Sequence, residues 1–78
     1  MKRAYRTTLI GITSIVSAES RGKAIARTLL SAADAGYNVR GKWKEVRAVR
    51  APEHDEWAAL DATGVLWAEA NLPKGVVT

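Results

Sequence analysis

The chain of 78 residues has no cysteine, no phenylalanine, one histidine and two prolines. Without cysteine there is no disulfide framework, no thiolate zinc site and no thiol nucleophile, and the expected compartment is a reducing one. A single histidine cannot complete a nitrogen ligand set. Neither the Gly-x-Ser-x-Gly elbow of hydrolases nor a Gly-spaced phosphate loop is present. These absences predict a non-enzyme with no cofactor, no metal and no small-molecule substrate. No apolar run approaches the roughly 18–20 residues of a membrane span. Arg3 and Arg6 are followed by threonines, not by the apolar core of an export signal. The expectation is a soluble cytoplasmic protein with no membrane partner.

With phenylalanine absent, Trp43, Trp57 and Trp67 must supply much of the bulk of any core, so burial is expected for all three. Charge is distributed unevenly. Residues 1–50 carry eleven Lys/Arg against three Asp/Glu, a net +8, whereas residues 51–78 carry one against five, a net −4. Such asymmetry suggests an electrostatic partner, an intramolecular clasp or self-association.

The clearest element is a helix from Ser20 to Gly36. Ser20 is an N-cap residue whose hydroxyl can accept from a first-turn amide, and Gly36 supplies the left-handed residue that ends many helices. At about 100° per residue, Ala32, Ile25, Leu29, Gly22, Ala33, Ala26 and Leu30 form one apolar arc, which is expected to face a sheet. Arg21 and Lys23 lie at the positive end of the helix dipole and Asp34 at the negative end, the reverse of the favourable arrangement. Arg21 and Lys23 beside free amides would make an anion site; solvated charges on an exposed first turn are the other reading.

Residues 3–19, rich in Thr, Ile and Val, predict a β-hairpin with a turn at Gly11-Ile12, pairing Ile10 with Thr13 and Leu9 with Ser14. Tyr5, Leu9, Val16 and Ala18 then share one face. Thr8, Ile10 and Ile15 lie on the other with Arg6 and Ser17, and form a second apolar surface to be covered by the C-terminal segment or by another molecule. After a loop, with a short strand possible over 37–40, residues 43–50 predict a third strand, with a bulge near Lys44 or Glu45 that would align Trp43 with Val46. Pro52 opens a short acidic helix that stops at Gly64. Residues 65–70 fit either a strand or a helical turn, and 73–78 a flexible tail. The expected fold is α+β, a single domain over residues 1–72: an antiparallel sheet of three or four strands on one main helix, in the order β-β-α-β, then a short helix.

His54 stands among Glu53, Asp55 and Glu56, where a solvated first turn is the expected role. The strongest functional candidate is the run Arg40, Lys42, Trp43, Lys44, Arg47 and Arg50. Cations neutralise phosphates and an indole face stacks on a base. Together with Arg21 and Lys23 these residues predict a nucleic-acid surface, against the alternative that basic edges protect a sheet from unwanted pairing. A second reading is a protein-interaction module, a host-factor inhibitor or a homodimer, built on Thr8, Ile10 and Ile15. If Glu53, Asp55 and Glu56 fold back over the basic surface, they would compete with a polyanion for it.

The hairpin leading into Ser20-Arg21-Gly22-Lys23-Ala24, the helix end Ala35-Gly36-Tyr37 and the strand closing at Arg47-Ala48-Val49-Arg50-Ala51-Pro52 together resemble small phage and prophage open reading frames of unassigned function, over roughly residues 4–52. The resemblance implies a small regulator or inhibitor that binds host protein or nucleic acid in the bacterial cytoplasm. It assigns no residue a role.

Overall fold

The computed structural model describes residues 2–60 and 66–68. In chain order the elements are β1 (Arg3–Leu9), β2 (Ile12–Ala18), α1 (Arg21–Asp34), a 3₁₀ turn (Lys42–Glu45), β3 (Arg47–Arg50), a second 3₁₀ turn (Pro52–His54), α2 (Asp55–Leu60) and β4 (Leu66–Ala68). The strands form one antiparallel sheet in the order β3-β1-β2-β4. The expected α+β class and element order are therefore found, and the segment left open between strand and helix contributes a strand. Gly64 and the tail expected at 73–78 lie outside the described residues.

The hairpin turns one residue earlier than predicted. Leu9 pairs with Ile12 and Thr8 with Thr13, so the loop is Ile10-Gly11. Both loop residues have positive φ, 53° and 72°, the mark of a type I′ turn whose twist matches that of the strands. The pairing slides by two residues, an even number, so each strand keeps its predicted faces. Ile10 is β-branched in a left-handed conformation, a strain of about 1–2 kcal/mol.

Each face of the sheet is covered by a helix. On one, Tyr5, Val16 and Ala18 pack with Ala24 of α1. The hydroxyls of Thr7 and Thr28 meet there at 2.8 Å, and Thr28 Oγ1 also lies 3.0 Å from the Ala24 carbonyl. A hydroxyl has one proton: if Thr28 donates to Ala24, Thr7 donates to Thr28, and both buried groups are satisfied. On the other face Ala4 and Ile15 pack with Ala51, Trp57 and Ala58. Trp57 is buried, as expected.

Both caps of α1 form as predicted. The Lys23 amide donates to Ser20 Oγ at 3.2 Å. At the other end the amides of Gly36 and Tyr37 donate to the carbonyls of Ala33 and Ala32, a Schellman closure with Gly36 at φ 94°. Only part of the predicted buried face is used. α1 buries Ala24 and Thr28, with Ile25, Leu29 and Ala32 half-buried, while Gly22, Ala26, Leu30 and Ala33 from the apolar arc face outward. The small Ala24 and the doubly bonded Thr28 make a close, satisfied contact with the sheet, and this turns much of the apolar arc away from it.

The third strand is shorter than predicted. Gly41, at φ 72°, opens the turn Lys42–Glu45, and only Arg47–Arg50 pair with β1. The irregularity near Lys44 is thus a helical turn, not a bulge, and residues 37–40 form no strand.

Candidate nucleic-acid interface

The turn at Lys42–Glu45 lifts Trp43 out of the core. Its side chain is 59% exposed, which corrects the expectation that all three tryptophans are buried. Lys44 Nζ lies 5.6 Å from the indole centroid, a cation–π contact that holds positive charge beside the ring. Before the turn, the Arg40 amide donates to Asn38 Oδ1 at 3.2 Å, fixing the loop while the Arg40 side chain stays exposed. After it, Arg47 is exposed on β3 opposite Thr8, and the 55% exposed Val49 shares its face. Val49 was not singled out from sequence; its alternation with Arg47 was the available signal.

The other predicted cations are engaged. Lys42 Nζ lies 3.6 Å from Glu45, and Lys23 Nζ donates to Glu19 at 2.9 Å, which holds the Glu19 carboxyl below its ordinary range. Arg50 makes a paired contact with Asp55 at 2.5 and 2.7 Å, donates to the Ala4 carbonyl and lies over the Tyr5 ring at 5.4 Å. Arg21 Nε donates to the Ala48 carbonyl at 3.0 Å. Because the Ala51 amide bonds to Ala4 in β1, the backbone groups of residues 49 and 47 also point inward and those of Ala48 point to the open edge of β3. Arg21 therefore caps a free edge carbonyl, which blunts strand addition at that site. At the helix start, Arg21 is thus held by a backbone carbonyl and Lys23 by an exposed ion pair.

The acidic segment does fold back. Glu53 Oε1 accepts from Arg6 at 2.7 Å, and its own amide together with Arg6 keeps its carboxyl below the usual range. Asp55 accepts from Arg50 and from the Ala4 amide at 2.9 Å; the arginine is the main reason its pKa falls from 3.8 to about 2. Glu53 and Asp55, on either side of His54, thus point to separate arginines. His54 Nδ1 is buried without a partner, and no group of three or more metal-ligating side chains occurs among the described residues.

The predicted protein-interface trio is separated. Ile15 is fully buried under α2, so it is core and not an anchor for a partner, because the C-terminal segment covers that face. Ile10 is half exposed at the hairpin tip, and Thr8 Oγ1 bonds with Thr13 Oγ1 at 3.2 Å. A cleft of about 230 Å³ opens on the opposite side of the hairpin, lined by Leu9, Ile12, Thr28, Ala32 and Tyr37 among others. Among the described residues its lining contains hydroxyls but no carboxylate, histidine or cation. No helix among the described residues is long and apolar enough to cross a membrane.

No family model, curated protein or solved structure matches this chain.

Proposed function

We propose that the chain is a small binding module that contacts single-stranded nucleic acid through Arg40, Trp43, Lys44 and Arg47, as part of a regulatory role. The observation that carries this reading is the exposure of Trp43 within a cationic segment: a large indole held in water by a helical turn, with Lys44 against it. Exposing a tryptophan forgoes about 1.5–3 kcal/mol of burial, in a domain whose small core needs it. A base stacked on the ring would return about 1–3 kcal/mol, and stacking on a side chain requires an unpaired base. Arg40, Lys44 and Arg47 have no carboxylate partner among the described residues and are open to phosphates.

The test is titration of the protein with single-stranded DNA, duplex DNA and RNA at several salt concentrations, followed by tryptophan fluorescence. Binding that weakens steeply with salt is expected, with preference for single strands. Trp43→Ala should weaken it by about tenfold or more, and Lys44→Ala or Arg47→Ala should each lower the salt slope by about one. No binding at low salt, or full binding by Trp43→Ala, refutes the reading.

A further inference from the structure

The outward face of α1 has no partner among the described residues. Gly22, Ala26, Leu30 and Ala33 all lie exposed on it, and Leu30, the largest, is 67% exposed. On the helical wheel these four span an arc of about 80°, bordered on one flank by Lys23 and Asp34. Glycine at 22 costs helix stability relative to alanine, yet a Cβ there would meet nothing within 4 Å, so the chain's own packing does not call for it. Asp34 opposes the dipole of its own helix.

We propose that this face docks a second copy of the chain, with the two α1 helices packed antiparallel about a two-fold axis. That axis brings each helix's charged flank against the same flank of the other, with the chain direction reversed. Centred on Thr28, Leu30 of each copy falls against Ala26 of the other, a large residue into a small one, twice. Asp34 of each copy falls beside Gly22 and Lys23 of the other, at the positive end of that helix. Charges that are unfavourably placed within one helix are complementary between two. A parallel pair would set opposite flanks together and leave Asp34 and Lys23 apart. Lys23 is available, because its pair with Glu19 is an exposed one along the helix, with side chains 63% and 57% exposed. A helix of 14 residues is about 21 Å long, so the contact is smaller than a standard stable interface, and association is expected on the order of micromolar.

Sedimentation equilibrium of the full chain over a range of concentrations, at low salt, tests this. The mass should rise from the 8.4 kDa of one chain toward twice that value. Leu30→Asp should weaken association by at least about tenfold. Lys23→Asp and Asp34→Lys should each remain monomeric alone, and an equimolar mixture of the two should dimerise, since both crossed contacts are then complementary. That rescue cannot come from a folding defect. A wild-type mass of one chain up to roughly 1 mM, a Leu30→Asp variant that still dimerises, or a charge-variant mixture that stays monomeric each overturns the proposal.

Discussion

Replacing Asp55 by asparagine should remove a defined, pH-dependent part of the stability. The carboxylate binds Arg50 through two contacts and accepts the Ala4 amide, which ties the start of α2 to the ends of β1 and β3. Its pKa falls from 3.8 to about 2. Linkage at about 1.4 kcal/mol per pH unit gives an upper value of ~2.5 kcal/mol; with both side chains about a third exposed, solvent screening reduces this to about 1 kcal/mol. The sign follows from the depressed pKa: as pH falls, the unfolded chain takes up the proton first. The contribution is complete above about pH 4–5 and is lost as pH falls through 2. Urea unfolding of the native protein and Asp55→Asn at pH 7, 5, 4, 3 and 2 measures it. The stability difference should be near 1 kcal/mol at pH 7 and should shrink between pH 4 and pH 2. Glu19 and Glu53 are also held below their ordinary range, but they are common to both proteins and cancel in the difference. A difference that stays constant from pH 7 to pH 2 would refute the electrostatic account of this clamp.

Ile10→Asn should raise stability by about 1 kcal/mol, because asparagine accepts the left-handed conformation and Asn-Gly is the preferred type I′ pair; thermal unfolding should shift up by about 4–8 °C, and a downward shift would mean that Ile10 makes a contact worth more than its strain. Thr28→Val should cost about 1–2 kcal/mol by leaving the Thr7 hydroxyl without its buried partner, whereas adding Thr7→Val should recover much of the loss; a urea double-mutant cycle with no coupling would sink that assignment. Glu53→Gln should remove the negative charge beside Arg6, strengthen nucleic-acid binding a few-fold at low salt and steepen the salt dependence by up to about one; an unchanged affinity would place Arg6 outside the contact surface.

Elements whose signals are local were legible in the sequence. Ser20 and Gly36 bound α1 because a cap depends on a few neighbouring residues, and the acidic turn after Pro52 follows from the helix dipole and proline geometry. Features set by tertiary contacts were not. The apolar arc of α1 is wide and made mostly of small residues, so periodicity alone could not choose which part meets the sheet. The choice rests on Thr28, a polar residue whose burial is acceptable only because Thr7 lies opposite it. The turn at Ile10-Gly11 places a β-branched residue where propensity forbids one, and strand pairing outweighs that local cost. The exposure of Trp43 runs against the composition, which called for every tryptophan in the core, and arises because Gly41 starts a helical turn where an extended strand was expected.

The opposite charge of the two halves has a structural use that is separate from binding. Glu53 and Asp55 neutralise Arg6 and Arg50 from within the chain, while the same segment supplies Trp57 and Ala58 to the core beneath Ala4 and Ile15. The acidic segment therefore cannot act as a detachable cover: removing residues 52–78 would expose Ile15 and take away the core of one sheet face along with two ion pairs. Charge balance within the fold accounts for Arg6, Lys23, Lys42 and Arg50, and edge capping accounts for Arg21. Arg40, Lys44 and Arg47 make no ion pair among the described residues, and they flank Trp43, which stands in water. Under the proposed function, an external polyanion would meet this local group of cations rather than the net charge as a whole.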